Sequence, residues 1–104
     1  MKRENRNGRY ELESGDIEWY KDGLLHREDG PACEWADGYK EWFVNGERHR
    51  EDGPAIYQIE GKQWFKDGLR HREDGPAFIC GKTQIEWWID DEQLTEEEFV
   101  KWKL

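Results

Sequence analysis

Three histidines, His26, His49 and His71, recur at intervals of 23 and 22 residues. Each is followed by the same charged triplet: Arg27-Glu28-Asp29, Arg50-Glu51-Asp52 and Arg72-Glu73-Asp74. Imidazoles and carboxylates in one cluster are the material of a zinc site or an acid–base pair. A zinc site needs three or four donors converging on one ion. Side chains at one offset of successive units stand at least a strand spacing apart, about 4.8 Å, or a sheet spacing of about 10 Å. Such a ladder does not converge, so no metal and no cofactor is expected. A catalytic constellation also occurs once per protein, whereas these groups occur in every unit. The expected role is structural, with each imidazole bonding the backbone of the next turn. The adjacent carboxylates read as a turn with ion pairs between neighbouring units, each contributing about 0.2–1 kcal/mol where exposed.

The triplets belong to an exact heptapeptide, His-Arg-Glu-Asp-Gly-Pro-Ala, present three times in 104 residues. Seven residues before each His stands a Trp (Trp19, Trp42, Trp64), followed by an aromatic and then Asp-Gly or Asn-Gly. Asp-Gly and Asn-Gly supply the positive φ angles of tight hairpin turns. Gly30, Gly53 and Gly75 follow the triplets and are expected in strained or left-handed backbone. Pro31, Pro54 and Pro76 then suit the first residue of a strand. Alternating segments such as Tyr10-Glu11-Leu12-Glu13 read as strands. Each unit is therefore about one hairpin plus a signature hinge. Longer strands are expected over Tyr39 to Val44, Pro54 to Ile59 and Gln84 to Ile89.

The ends depart from the unit. A fourth register at Trp87 has Asp90-Asp91 in the turn, with Leu94 and Thr95 replacing His and Arg. At the N-terminus Arg6-Asn7-Gly8-Arg9-Tyr10 aligns with Glu-Asp-Gly-Pro-Ala. Atypical end units are what a stacked array requires. Thr95-Glu96-Glu97-Glu98 is a capping box, and a short helix is expected over residues 95–103. The fold class is thus all-β, an array of antiparallel hairpin repeats with a C-terminal helix. The chain forms one domain: a flexible basic arm (1–8), hairpin repeats (9–94) and the capping helix (95–103).

Composition qualifies this picture. Hydrophobic residues make up only 35% and charged residues 39%, but seven Trp, four Tyr and four Phe can hold a thin layered core. The net charge is −9, with residues 1–10 at +3 and residues 85–104 at −5. An acidic chain is a poor ligand for nucleic acid or anionic membrane. A nucleobase-stacking role for the Trp ladder needs a basic groove and is disfavoured for that reason. No signal peptide or transmembrane run is evident, and Cys33 and Cys80 read as free thiols, which together suggest the cytoplasm. An open-edged array also allows a homodimer.

The full unit resembles a repeat found in proteins of large phages and giant viruses, and is similar to a distant variant of the MORN repeat. The resemblance spans about residues 8–94. It implies a β-hairpin array without enzyme chemistry and a viral accessory origin, acting in the host cytoplasm. Such accessory proteins bind and block a host machine, of which an anti-CRISPR protein is the most concrete form. The expected contact is an acidic surface of Glu86, Asp90, Asp91, Glu92, Glu96, Glu97 and Glu98, meeting a host protein that binds nucleic acid. Trp35 and Trp88 stand off the Trp ladder and are the expected hot spots. Two other roles fit the sequence. One is a sponge that holds a small nucleotide signal between repeats, using Arg27, Arg50, Arg72 and the aromatics. The other is a structural, virion-associated role.

Overall fold

A computed structural model describes residues 6–104. The fold is mostly β, built from antiparallel hairpins with one C-terminal helix. The strands are β1 (Gly8–Glu11), β2 (Ile17–Lys21), β3 (Leu24–Leu25), β4 (Cys33–Glu34), β5 (Lys40–Glu41), β6 (Phe43–Val44) and β7 (Glu47–Arg48). They continue as β8 (Ile56–Tyr57), β9 (Gly61–Gln63), β10 (Phe65–Lys66), β11 (Leu69–Arg70), β12 (Phe78–Cys80), β13 (Gln84–Ile89) and β14 (Glu92–Leu94). Helix α1 spans Glu96–Lys103. The main sheet is a meander in the order β1-β2-β4-β5-β8-β9-β12-β13-β14, with β3 paired to β2.

One of the longer expected strands breaks at its Trp. The strand expected over Tyr39 to Val44 divides into β5 and β6 at Trp42, and Trp64 separates β9 from β10 in the same way. The cause is a change of partner. The Trp42 N–H donates to Ala55 O within the main sheet (2.8 Å), while Trp42 O accepts from His49 N in the short hairpin beyond it (3.1 Å). The Trp is thus the hinge at which the chain passes from the sheet into a second row of short hairpins: β2/β3, β6/β7, β10/β11 and the paired ends of β13/β14. The strand expected over Pro54 to Ile59 contracts to β8, because Pro54 is held by the signature loop.

Each short hairpin closes through a two-residue turn with both residues at positive φ: Asp22-Gly23, Asn45-Gly46, Asp67-Gly68 and Asp90-Asp91. This is the geometry whose twist matches antiparallel strands. The turns also join the row. Gly46 N donates to Leu25 O, Gly68 N to Arg48 O and Asp91 N to Arg70 O, at 2.8–2.9 Å. Arg27, Arg50 and Arg72 donate their N–H to Phe43, Phe65 and Trp88 carbonyls of the next unit.

The core is thin, as the composition requires. Ala32, Ala55 and Ala77 are fully buried. Ala55, Ile56 and Phe65 form the central cluster, with Tyr39 and Trp42 packed on it. At the far end α1 packs on β13 and β14 and buries Phe99. Its capping box is complete: Glu98 N donates to Thr95 Oγ1 (3.1 Å) and Thr95 N to Glu98 Oε1 (2.8 Å).

Of the arm expected over residues 1–8, residues 1–5 lie outside the described part, and residues 6–8 bond to the first hairpin turn and enter β1. Gly23 N donates to Arg6 O and Asp22 N to Asn7 Oδ1, both at 2.9 Å, and β1 already begins at Gly8. Among the described residues no helix is long and apolar enough to cross a membrane.

Candidate functional site

The signature loop is a lock built around its arginine. Arg27 Nε donates to Asp29 Oδ1 (2.9 Å) and Nη1 to Pro31 O (3.2 Å), while its Cζ lies 4.3 Å from the Trp19 ring centre. Arg50 and Arg72 repeat this, at 3.9 Å over Trp42 and 4.0 Å over Trp64. These bonds run within the arginine's own loop, which corrects the expected pairing of Arg with carboxylates of the neighbouring unit. The Asp29 and Asp52 carboxyls are held below the ordinary range by the hydrogen bond and charge of their arginines, and Asp74 by its bond to Arg72.

The expectation for Gly30, Gly53 and Gly75 is also corrected. None has left-handed backbone; the left-handed glycines include those of the hairpin turns. A Cβ at Gly30 or Gly53 would lie 2.8 Å from Cζ of Arg27 or Arg50, and at Gly75 it would lie 2.9 Å from Cζ of Arg72. Glycine is needed there because the guanidinium packs against it on one side and the Trp ring on the other.

Each His joins one unit to the next. Nδ1 of His26, His49 and His71 accepts the N–H of Asn45, Asp67 and Asp90, at 2.9, 2.9 and 3.0 Å. With Nδ1 accepting, the proton belongs on Nε2, which in His71 meets Glu73 Oε2 at 2.9 Å. That bond holds the Glu73 carboxyl below its ordinary range. Among the described residues no group of three or more His, Cys, Asp or Glu is placed to hold a metal ion. Asn7 performs the same task for the first turn, through its Oδ1. Arg6-Asn7 therefore takes the place of Arg-His in a preceding unit, where the sequence alignment had put Glu-Asp.

The residues expected to meet a partner divide. Trp35 and Trp88 are half-buried. Trp35 packs edge-on against Tyr39 with ring centres 4.7 Å apart. Trp88 donates Nε1–H to Glu86 (2.8 Å) and lies under the Arg70 guanidinium, which occupies Glu86 and Trp88 within the fold. Asp91 accepts Arg70 N, and Glu98 belongs to the helix cap. Asp90, Glu92, Glu96 and Glu97 are exposed at the C-terminal end, with Glu97 3.8 Å from Lys101. Beside them α1 exposes Val100, Trp102 and Leu104, at 54%, 46% and 101%. Trp102 was missed as a candidate because its helical position reads equally as core.

A second set of interior groups also escaped sequence reasoning. Glu41 is 6% exposed and accepts from Arg48 Nε at 2.8 Å; Gln63 accepts from Arg70 Nη2 at the same distance. The signal was present, since these positions precede each Trp and each His. Arg48 and Arg70 each lie between aromatic rings, at 4.9–5.7 Å. Burial pushes the Cys33 thiol up to about 12, and it raises the Tyr39 hydroxyl as well. Cys33 and Cys80 are free.

Grooves run between successive units. One of about 650 Å³ lies between the first and second signature loops, and one of about 590 Å³ between the second and third. Each is lined by four carboxylates from the two loops that flank it. Comparison with protein-family models, curated proteins and solved structures finds no match to this chain.

Proposed function

We propose that this chain is a non-catalytic binding protein of the cytoplasm whose C-terminal end engages a basic protein surface, such as that of a host nuclease or other nucleic-acid-binding complex, and blocks it. What supports the reading is one juxtaposition. Exposed Asp90, Glu92, Glu96 and Glu97 share the last hairpin and helix with exposed Val100 and Trp102. Carboxylates around an exposed Trp suit a partner that offers cations and an apolar pocket. The signature residues, by contrast, are engaged in holding units together. The partner would lose its nucleic acid because the acidic end competes for the same cations.

The test is capture from bacterial lysate, with elution by a salt gradient and identification of the eluted protein by mass spectrometry. The expected result is a stoichiometric nucleic-acid-binding partner that heparin displaces. Its affinity should fall at least about tenfold in a Glu92→Lys/Glu96→Lys/Glu97→Lys variant. A complex indifferent to salt and to this reversal would refute the acidic contact.

A further inference from the structure

The signature units are alike where they join and unlike at one register position, two residues after each signature Ala: Glu34, Tyr57 and Ile79. In the first unit Glu34 Oε2 stands 3.7 Å from Arg27 Nη1 and gives that guanidinium a second carboxylate. Tyr57 and Ile79 give none to Arg50 or Arg72, each of which keeps one carboxylate, Asp52 or Asp74. A groove of about 940 Å³ lies between the second and third units at this position. Tyr57, Ile79 and Trp64 wall it, while Arg50, Arg72 and Lys62 are set against Glu60 as its only carboxylate. Arg50 and Arg72 stay bonded to Asp52 and Asp74, but those carboxylates line the adjoining signature-loop groove and not this one. The two signature-loop grooves differ in carrying four carboxylates apiece, although Arg50 and Arg72 also border the one between the second and third loops.

We infer that this groove binds a nucleotide, with the base against Tyr57 and Ile79 and the phosphate among Arg50, Arg72 and Lys62. Three cations in one groove favour a multiply charged head over a single carboxylate, and guanidinium forks match phosphate geometry. Tyr57 is 36% exposed and offers its ring as a flat apolar wall of the kind on which bases stack. The volume lies in the range of small-ligand sites. The site is separate from the acidic end, and its fate does not depend on the reading given above.

The test is isothermal titration of the full chain with AMP, GMP and a cyclic purine dinucleotide, alongside adenosine, inorganic phosphate and decanoate. One nucleotide should bind at one per chain, at least about tenfold more tightly than adenosine or phosphate. Tyr57→Glu and Ile79→Glu install the carboxylate that the first unit already carries at this position, so the fold has a precedent for them. Each should weaken nucleotide binding at least about tenfold, as should the surface variant Lys62→Glu. Absence of binding by all three nucleotides overturns the inference. So does binding that survives all three variants, or adenosine or decanoate binding as tightly as the nucleotide.

Discussion

The seam between the second and third units and the C-terminal end are built from the same hairpin, yet they use their side chains in opposite ways. At the seam His49 reaches forward to the Asp67 N–H, Arg50 stacks on Trp42, and Phe65 and Ala55 fill the space between. The fourth hairpin keeps its Trp and its turn, but Leu94 and Thr95 lead into helix α1 and not into another hairpin. There the chain caps itself with a helix and leaves carboxylates facing outward. In a stacked array the repeated residues serve first to build and join the units. Residues that occur once are the ones available for recognition, whether at the acidic end or at Tyr57 and Ile79.

The largest contrast between the two regions should come from tryptophan truncation. Trp42→Ala removes the hinge ring, its packing on the central cluster and the platform under Arg50. A loss of about 3–5 kcal/mol is expected, which would unfold much of so small a domain. Trp102→Ala should cost no more than about 1.5 kcal/mol, since that ring is 46% exposed and its contact is a stack on Phe99 with ring centres 6.0 Å apart. Urea unfolding of the two variants measures both values. Equal losses would mean that the seam and the end are not distinct in the way described.

Much of this fold was legible because the repeat printed its rules several times. The turns followed from Asp-Gly and Asn-Gly, the helix from Thr95 and Glu98, and the thin aromatic core from the Trp ladder. What was not legible depends on pairings that no local pattern encodes. Gly30 looked like a turn glycine, but its reason is the Arg27 guanidinium lying against it. Trp88 looked exposed because it stands off the ladder, while its partner Arg70 comes from the preceding unit. The candidate site was legible in part: Glu92, Glu96 and Glu97 face outward, whereas Glu86 is bonded to Trp88. The groove at Tyr57 was hidden because its significance lies in a difference from Glu34 that matters only once the arginine positions are known.

A smaller effect separates joining from filling. His71→Ala leaves the Asp90 N–H without its acceptor and should cost about 1 kcal/mol in urea unfolding. His71→Asn should recover part of that loss, because Asn7 already supplies an amide oxygen for the equivalent bond to Asp22 N. Leu94→His should gain nothing, since no turn follows it. If His71→Asn is as damaging as His71→Ala, the imidazole works through its bulk and not through Nδ1.

The smallest effect is the most widely spread, and it is read in acid. Asp29, Asp52 and Asp74 are held below the ordinary carboxyl value of 3.8 by Arg27, Arg50 and Arg72, and Glu73 below 4.5 by His71. A carboxyl that binds its proton less tightly when folded stabilises the fold when it is ionised. That contribution is complete above the ordinary carboxyl value and disappears as pH falls through the folded-state value. The melting temperature should therefore begin to lose this contribution as pH falls below about 5. Each step is small, because these carboxylates face solvent. The triple variant Asp29→Asn/Asp52→Asn/Asp74→Asn should start from a lower melting temperature at neutral pH and fall less steeply in acid. Glu92→Gln/Glu96→Gln/Glu97→Gln neutralises as many groups at the other region and should leave the acid limb as steep as in the parent chain. Should the two variants flatten the limb equally, the acid sensitivity would belong to total charge, and the arginine locks would have no special part in it.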